Sequence, residues 1–322
     1  MSNLEAASSV VDTIMQYSSC LIATHINPEG DAIGSMLALA LALEQRGMMV
    51  SCYDRDGVPE NNRFLPTWER VTRELPSTIP PLVIYVDADR LERCALSQKA
   101  LPGAVAFVRI DHHQSDAVNP GPALVDPHAA ATAELVFDLL SLLGATLTPE
   151  IATCLHTAIV VDTGRFSYTN TTPHTLHIAA QLIDSGADLP TIIDWIWGRT
   201  KFAAAKLTGI ALSSLQLSAA GRIAWAVLRE EDFRAAGAQT DDTEEIIDSI
   251  RSIRGTGVAI LFSEKQGQVR ISMRSNGEVD VAKLARAFGG GGHVKAAGIT
   301  YQGPIDYAVC DVLRAIELEL NA

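Results

Sequence analysis

Strand-length apolar runs alternate with helix-length segments in the first half of the chain, and several of these runs end in residues of the types that bind metal ions. Ser19–Thr24 leads into His25-Ile26-Asn27-Pro28-Glu29-Gly30-Asp31, Leu82–Val86 into Asp87-Ala88-Asp89, and Ala104–Ile110 into Asp111-His112-His113. Strands that alternate with helices predict an α/β fold with a doubly wound, mainly parallel sheet. Because a parallel sheet gathers the carboxyl ends of its strands along one edge, these separated motifs can form one site.

A fourth group, Asp162-Thr163-Gly164, follows the apolar run Thr157–Val161 and is expected to repeat the strand-end arrangement. The same run closes Pro149–Val161, a segment whose pattern also predicts a helix. Asp is common at turns and caps, so a single such group is more often structural. Four groups in one domain favour a shared functional site.

The chain is long enough for two cores, and its texture changes near residues 190–215. We expect a catalytic, metal-binding domain over residues 1–190, a helical linker over 191–215 and a smaller α/β domain with a mixed sheet over 216–322, with a cleft between the domains. Further helices of the first domain are predicted at Asp31–Arg46, Arg90–Ala100, Ala129–Leu143 and His174–Ser185. The second domain is expected to contain the strands Ile223–Leu228, Val258–Ser263, Gln268–Ser275 and Ile299–Tyr301 and the helices Thr243–Ser252, Val281–Phe288 and Ile305–Leu318.

Composition excludes several classes of protein. No stretch approaches the roughly 20 apolar residues of a membrane span, and the segment Met1–Val11 lacks the pattern of a secretory signal, so we expect a cytoplasmic protein that does not enter a membrane. The cysteines number five, an odd count, and none forms a Cys-x-x-Cys pair, which argues against a disulfide framework or a thiolate zinc site.

Charge is distributed unevenly. The net charge of -13 makes tight binding of long duplex DNA unfavourable, because that binding depends on many Lys and Arg contacts with phosphates. Between Ile246 and Gly298, however, eight basic residues minus four acidic residues, Glu278 among them, give +4. A short ligand with a few phosphates would suit this basic segment, although such a segment is more often only a solvated surface.

The donor types indicate the chemistry of the first domain. His25 offers an imidazole, and Glu29 and Asp31 offer carboxylates. Asp87, directly after a strand, can bridge two ions roughly 3.5–4 Å apart. In Asp111-His112-His113 the acid can orient a ring, one imidazole can bind an ion and the other can face a substrate. With Asp162, the mixed nitrogen and oxygen donors favour manganese or a similar divalent ion over structural zinc.

The run Gly289–Gly292 before His293 follows a predicted helix, whereas a Walker phosphate loop precedes one. It is therefore not a nucleoside triphosphatase signature. A loop that merely ends the helix is one explanation. An anion site is the other, since a glycine-rich backbone can approach a phosphate closely.

The ordered set of motifs resembles the DHH phosphoesterases. The motifs are His25-x-Asn-Pro-Glu-Gly-Asp31, Val-Asp87, Asp111-His-His113, Asp162-Thr-Gly-Arg-Phe and Gly-Gly-Gly-Gly-His293-x-x-Ala-Ala-Gly298. The resemblance extends nearly end to end. It is similar in form to the branch of nano-RNases and 3'-phosphoadenosine 5'-phosphate (pAp) phosphatases, in which a DHH domain precedes a DHH-associated substrate domain. One departure is Glu29, where the family usually has aspartate.

The resemblance implies two divalent ions, with Mn²⁺ expected and Mg²⁺ or Co²⁺ as alternatives. Their ligands would be His25, Glu29, Asp31, Asp87, His112 and Asp162, with Asp87 between the ions. Asp87, Asp111 and His113 would be catalytic, with His113 facing the phosphate that is attacked in line by an activated water. Implied substrate contacts are Arg274, Ser275, His293 and the backbone amides of Gly290, Gly291 and Gly292, with Arg165 as a further phosphate contact or the partner of a nearby carboxylate.

The implied reaction is hydrolysis of short single-stranded RNA or DNA oligonucleotides, two to five nucleotides long, to mononucleotides, and of the nucleotide bisphosphate pAp to AMP. A hydrolase of linear or cyclic signalling dinucleotides, a long-strand exonuclease and an inorganic pyrophosphatase are the alternative enzymes. A catalytically silent nucleotide-binding module is the alternative of another class, because Glu29 replaces the usual acid. A homodimer is left open.

Overall fold

The computed structural model of the protein describes residues 3–115, 117–218, 221–265, 267–277 and 279–320, with the backbone alone described at positions 241, 244 and 265. Glu278, counted in the basic segment, lies outside the described residues, as does the side chain of Lys265. Contacts divide the chain into two compact units, one ending at Arg199 and the other beginning at Thr200. Among the helices of the described residues, none combines the length and the apolar content needed to cross a membrane.

The first unit is built on a parallel sheet. Its elements are α1 (Asn3–Ile14), β1 (Ser19–Ala23), α2 (Gly30–Gln45), β2 (Met49–Tyr53), β3 (Val71–Thr72), β4 (Leu82–Val86), β5 (Ala106–Asp111), β6 (Ala123–Val125), α3 (Thr132–Leu143), α4 (Pro149–Asp162), α5 (Pro173–Asp184) and α6 (Leu189–Trp197). The strand order is β3-β2-β1-β4-β5-β6, and every neighbouring pair is parallel. The predicted α/β class with a mainly parallel first sheet is confirmed; α1, β3 and β6 had not been predicted.

Both faces of this sheet are covered, which is why β4 is apolar at every position and wholly buried. Its residues 82, 84 and 86 pack against the α-helices, and residues 83 and 85 pack on the opposite face against residues 91–101. The prediction of one α-helix over Arg90–Ala100 is wrong, because the segment forms two 3₁₀ helices, Leu91–Cys94 and Gln98–Ala100. Between them Ala95 has a left-handed backbone with φ 55°, which ends the first helix.

Helices α2 and α4 pack closely through glycine. A Cβ atom on Gly34 would lie only 2.4 Å from the carbonyl oxygen of Cys154, and one on Gly30 would lie 2.6 Å from Val161 Cγ2. The absence of side chains at these positions therefore lets the two helices approach. This packing brings Asp31, in the first turn of α2, beside Asp162, the last residue of α4.

Asp162 therefore ends a helix, and the expectation that it follows a strand is wrong. Helix α4 is buried on most of its surface, so the polar residues that would reveal a helical period are few. A short stretch such as Thr157–Val161 then cannot be distinguished from a strand by periodicity alone. The alternative helical reading of Pro149–Val161 is confirmed.

The second unit contains a mixed sheet backed by helices. Its elements are α7 (Phe202–Ser213), β7 (Gln216–Leu217), β8 (Ile223–Leu228), α8 (Glu230–Ala236), α9 (Glu244–Arg251), β9 (Val258–Lys265), β10 (Gln268–Ser275), α10 (Val281–Ala287), β11 (Gly291–His293), β12 (Ala296–Gln302) and α11 (Ile305–Leu320). The order is β11-β12-β10-β9-β8-β7, with β8 and β9 parallel and the other pairs antiparallel. One face packs against α10 and α11; on the other face, β8 and β9 pack against α7 and α9. The mixed sheet is confirmed.

Candidate metal centre

Three strand ends carry predicted donors to one edge of the first sheet. His25 follows β1, Asp87 follows β4 directly, and Asp111 is the last residue of β5. The Thr24 hydroxyl donates to the Val86 carbonyl at 3.0 Å, and the Asp87 amide donates to the Ile110 carbonyl at 3.0 Å. These bonds fix the three strand ends side by side, as the sequence motifs predicted.

Asp87 has an unusual backbone conformation, with φ of 55° in the left-handed region. Such a conformation is uncommon for a residue with a Cβ atom, although Asp tolerates it better than most, and it persists where neighbouring contacts impose it. Besides the bond from its amide, Asp87 accepts the Thr132 hydroxyl at Oδ1, 3.0 Å away. The carboxylate is 5% exposed and so has a defined, buried orientation.

Imidazoles and carboxylates converge around Asp87. His25 Nε2 lies 3.3 Å from Asp87 Oδ2. His112 Nε2 lies 3.6 Å from Asp87 Oδ1, 3.3 Å from Asp162 Oδ2 and 3.9 Å from Asp31 Oδ2. Among the residues that the structure describes, two groups have donor atoms that all lie within 4.8 Å of one another, namely Asp87 with His112 and His113, and Asp31 with His112 and Asp162.

His25 and His112 are oriented as metal-binding histidines usually are. Nδ1 of His25 is 2.9 Å from the Ile26 carbonyl oxygen, and Nδ1 of His112 is 3.2 Å from the Ala129 carbonyl oxygen. A proton on each Nδ1 therefore donates to the backbone and leaves Nε2 with its lone pair. Such outer contacts fix the tautomer and ring orientation of metal-binding histidines.

Asp31 is held by the beginning of α3. The Thr132 amide donates to Oδ2 at 2.6 Å, and the Ala133 amide donates to Oδ1 at 3.1 Å. The Ser35 hydroxyl also donates to Oδ1, at 2.9 Å. Thr132 thus contacts both Asp31 and Asp87, and its position inside the predicted helix Ala129–Leu143 had given no sign of this.

Three carboxylates, those of Asp31, Asp87 and Asp162, share this small volume, and the pKa values of Asp31 and Asp162 are raised. Burial, followed by repulsion from Asp87, raises the pKa of Asp31 to about 6. Burial, followed by repulsion from Asp31 and Asp87, raises the pKa of Asp162 well above its usual range. Like charges so close together are costly unless cations neutralise them.

His113 belongs to a second network. Its Nδ1 lies 2.8 Å from Asp111 Oδ1, and its amide donates to the same oxygen at 3.1 Å. The other oxygen of Asp111 accepts from Arg109 Nε at 3.2 Å and Nη2 at 2.5 Å. The hydrogen bond with Asp111 raises the pKa of His113, although burial opposes this. Arg109 had not been predicted as part of the site; its signal is a charged residue inside an otherwise apolar strand.

His25 belongs to neither donor group but contacts Asp87, whereas two other predicted residues outside these groups, Glu29 and Arg165, are exposed. Glu29 is exposed at the N-cap of α2, and neither donor group found among the described residues includes it. Its charge still contributes, after burial and the nearer carboxylates, to the raised pKa of Asp162. Arg165 is exposed in the left-handed turn after Asp162, with φ 60°. Its guanidinium carbon lies 4.9 Å from the centre of the Trp197 ring.

In the second unit, Arg274 and His293 lie on the two strands that flank β12. Arg274 of β10 and His293 of β11 both pair with Ala296 of β12, so they belong to one cross-strand row. Exposure along β10 alternates, with Gln268, Arg270, Ser272 and Arg274 accessible and the residues between them buried. The accessible face therefore carries two arginines and a serine hydroxyl.

Ser275 and Gly290 both donate to backbone carbonyls. Ser275 is 4% exposed on the face opposite Arg274, and its hydroxyl donates to the Gly277 carbonyl at 3.4 Å. The Gly290 amide donates to the Ala285 carbonyl at 2.8 Å, which closes the end of α10. Each group therefore already has a backbone partner in its own unit, and the substrate contacts expected of Ser275 and Gly290 stay predictions.

The glycines of this run differ in whether the surrounding structure leaves room for a side chain. A Cβ atom on Gly290 would lie 2.2 Å from the Gly298 carbonyl oxygen, and one on Gly292 would lie 2.4 Å from the Ala296 carbonyl oxygen. These glycines are therefore required by the close pairing of β11 with β12. A Cβ atom on Gly291 would meet no heavy atom within 4 Å, so this backbone is open to an approaching group.

The donor set fits divalent cations. The Nε2 atoms of His25 and His112 face carboxylates, while the Nδ1 atom of each ring is bound to the backbone. A bound cation would relieve the repulsion among these carboxylates. Nitrogen and oxygen donors without thiolate suit Mn²⁺ or Mg²⁺ better than structural zinc. The described residues therefore include groups that could hold metal ions at the predicted edge of the sheet.

Comparison with known proteins agrees with this geometry. Residues 19–159 match the model "DHH family, N-terminal domain", and residues 221–320 match the "DHHA1 domain". A protein of Thermus thermophilus named bifunctional oligoribonuclease and PAP phosphatase NrnA is 37% identical over 301 residues, covering 93% of this chain and 90% of the relative. The protein of the same name in Bacillus subtilis is 28% identical, covering 90% of this chain and 91% of the relative.

Solved structures show the same fold. The crystal structure of an exopolyphosphatase-related protein from Bacteroides fragilis has a TM-score of 0.89 and 22% identity, covering 99% of this chain and 98% of that one. RecJ from Thermus thermophilus in complex with Mn²⁺ has a TM-score of 0.56 and 14% identity, covering 99% of this chain and 55% of that one. With the family matches and the 37% identical relative, these findings agree with the motifs and the two sheets. The chain belongs to the DHH family of phosphoesterases, in the branch of the bifunctional oligoribonuclease and PAP phosphatase relatives.

Proposed function

We propose that the protein hydrolyses short single-stranded oligonucleotides to mononucleotides and removes the 3'-phosphate of pAp to give AMP. The observation that carries the proposal is the position of Asp87, whose two oxygens face different imidazoles. Oδ2 is 3.3 Å from His25, whereas Oδ1 is 3.6 Å from His112. A carboxylate placed in this way suits a pair of ions that act on one phosphoryl group.

We propose that His25, Asp31, Asp87, His112 and Asp162 hold two divalent ions, with Mn²⁺ as the first candidate. Mg²⁺ and Co²⁺ are the alternatives. Bound ions would supply a water of lowered pKa and positive charge against the phosphate oxygens. Glu29 is a candidate for an additional, outer ligand, because its exposed carboxylate contributes to the field at Asp162.

His113 has a separate role in this proposal. Because Nδ1 is bound to Asp111, the ring presents Nε2 as its remaining polar atom, and the side chain is 46% exposed. Nε2 can therefore contact a phosphate oxygen or give a proton to the leaving oxygen. Asp111 fixes the ring and stabilises its charged form, and Arg109 fixes Asp111.

The substrate class is supported by the names of the relatives and by the charges of the second unit. Arg274, His293, the open backbone at Gly291 and the backbone amide of Gly292 would bind a terminal nucleotide or second phosphate, while Arg165 would bind a phosphate near Asp162. An arginine suits phosphate because its fork of donors matches two oxygens at once. A homodimer and a cytoplasmic location stay predictions. Light scattering would test the first and cell fractionation the second.

The experiment is a side-by-side assay with Mn²⁺ of a dinucleotide, a long oligonucleotide, pAp and cyclic dinucleotides, with Asp87→Ala as the control. We expect the dinucleotide and pAp to be hydrolysed fastest and Asp87→Ala to be inactive. Faster hydrolysis of cyclic dinucleotides would assign the signalling alternative, and equal rates on long strands would contradict the short-substrate class. Tight pAp binding without any turnover would indicate the silent binding module.

A further inference from the structure

Thr132 contacts two of the proposed ligand carboxylates at once. It is the first residue of α3 and is fully buried. Its hydroxyl donates to Asp87 Oδ1 at 3.0 Å, and its backbone amide donates to Asp31 Oδ2 at 2.6 Å. These carboxylates lie 45 and 101 residues away in the sequence, so Thr132 joins two segments that the chain order separates.

The bond to Asp31 also replaces a helix cap. The N-cap residue of α3 is Ala131, which has no side chain able to cap the helix. The Asp31 carboxylate instead accepts the amides of Thr132 and Ala133, the function that a capping side chain of the same segment usually has. The positive end of the helix favours the ionised form of that carboxylate. The beginning of α3 is thereby built around a proposed metal ligand.

The bond to Asp87 determines how that carboxylate is turned. Oδ1, which accepts the Thr132 hydroxyl, is the oxygen that lies 3.6 Å from His112 Nε2 and 3.5 Å from His113 Nδ1. Oδ2 is left facing His25. Without the hydroxyl, this contact would no longer oppose rotation of the Asp87 carboxylate about its Cβ–Cγ bond. The carboxylate would then be held less firmly with Oδ1 toward His112 and Oδ2 toward His25.

We propose that Thr132 is a positioning residue that couples the two halves of the metal centre, an inference that rests on the proposed metal site. The hydroxyl fixes Asp87, which both ions would share as a ligand, and the amide fixes Asp31. Thr132 itself binds neither ion nor substrate. Outer contacts of this kind typically change metal affinity by about 10–100-fold.

The test compares Thr132→Val, which keeps the shape but lacks the hydroxyl, with Thr132→Ser, which keeps the hydroxyl. Thr157→Val is the matched control, because Thr157 is equally buried and its hydroxyl donates to the Thr153 carbonyl within helix α4. Calorimetric titration of the full chain with Mn²⁺ measures affinity, and electron paramagnetic resonance measures magnetic coupling between paired ions. We expect Thr132→Val to lose about 10–100-fold in affinity and to lose the coupling. Thr132→Ser and Thr157→Val should remain close to the starting protein.

The outcomes separate the inference from the proposed function. If the unaltered chain does not bind Mn²⁺, or binds it as well after Asp87→Ala, the metal site itself is wrong and the role of Thr132 with it. If the unaltered chain binds two coupled ions and Thr132→Val does the same with equal affinity, only the inference about Thr132 is overturned. Melting of the metal-free variants identifies a loss of fold, and Thr132→Ala is the second hydroxyl-free variant if Thr132→Val unfolds. At saturating Mn²⁺ the KM of Thr132→Val for pAp should equal that of the unaltered chain, because Thr132 does not contact the substrate.

Discussion

Asp111 Oδ1 lies 2.8 Å from Nδ1 of His113, the histidine that ends the Asp-His-His motif. Oδ2 of the same carboxylate is bound by Arg109, and both members of this ion pair are almost completely buried, at 0% and 3% side-chain exposure. The motif thus includes a charged partner two residues upstream. His113 is therefore oriented by a carboxylate that is itself held in place by a buried ion pair with Arg109.

Replacing Asp111 with Asn tests this arrangement. The substitution removes the negative charge that stabilises protonated His113, and we expect kcat for pAp to fall by about 10²-fold or more. It also leaves the buried Arg109 without its counter-charge, which should cost about 3 kcal/mol or more of unfolding free energy. Steady-state kinetics and urea unfolding measure the two effects.

Asp248→Asn is the control, because Asp248 is exposed and pairs with Arg251 one helical turn away. A surface pair of this kind contributes less than about 1 kcal/mol. Equal effects of the two substitutions would contradict the special role of Asp111.

Gly34→Ala should disturb the packing of α2 on α4. The new Cβ atom would lie 2.4 Å from a backbone oxygen, so the helices must separate. We expect a loss of about 1–3 kcal/mol of unfolding free energy, as in overpacked cores, and weaker Mn²⁺ binding because Asp31 and Asp162 move apart. Urea unfolding and calorimetry measure both.

Gly209→Ala is the matched control for this substitution. Gly209 lies inside α7, and a Cβ atom there would meet nothing within 4 Å. Alanine is favoured over glycine in a helix by roughly 1 kcal/mol, so this variant should be stabilised. The same sign of change in both variants would refute the steric explanation.

Arg165→Ala should weaken substrate binding more than turnover. Loss of a charge-assisted bond to phosphate is expected to raise the KM for pAp by about 10–150-fold, since such bonds contribute about 1.5–3 kcal/mol. Arg199→Ala is the control, because Arg199 lies over the neighbouring Trp195 ring at 3.5 Å in a similar contact. An unchanged KM for Arg165→Ala, or an equal rise in both, would exclude a specific phosphate contact.

Stability of the metal-free protein should depend on the raised pKa values of Asp31 and Asp162. The folded-state pKa of each lies above the ordinary value of 3.8, so its contribution to stability is fully present below that value and is lost as the pH rises, through about 6 for Asp31. We expect about 1 kcal/mol less stability at pH 7 than at pH 5 from Asp31, with a further loss from Asp162 that Asp162→Asn should remove. Melting in chelator measures the loss, and Mn²⁺ should reverse it at pH 7. Identical pH profiles for the protein and Asp162→Asn would contradict this.

His156 should have the opposite pH dependence. It is fully buried in α4, and among the described residues neither ring nitrogen has a hydrogen-bond partner. Burial lowers its pKa from 6.5 to about 4, so the unfolded chain is protonated first as the pH falls. Its contribution to stability is present above pH 6.5 and decreases toward pH 4, by about 3 kcal/mol in total. His156→Leu should remove this slope in urea unfolding at pH 7, 6 and 5; parallel curves would refute it.

Much of the site could be predicted from the sequence because the relevant signals are local. The acid and imidazole residues follow the apolar runs of β1, β4 and β5 directly, and the ends of parallel strands necessarily share an edge. The glycine run with His293 was likewise visible as a motif. Asp162 was predicted as a metal ligand, but its place at the end of a helix was not. The apolar run before it is too short, and helix α4 too buried, for a helical period to be recognised.

The sequence by itself determined which candidate ligands are present and which of them follow the strands β1, β4 and β5. Only the tertiary structure decided which of them meet. Thr132 binds Asp31 and Asp87 across long stretches of chain, while Gly290 and Ser275 turn to backbone partners of their own unit. Hydrogen bonds and close packing depend on atoms brought together by folding, and no pattern of neighbouring residues records those distances.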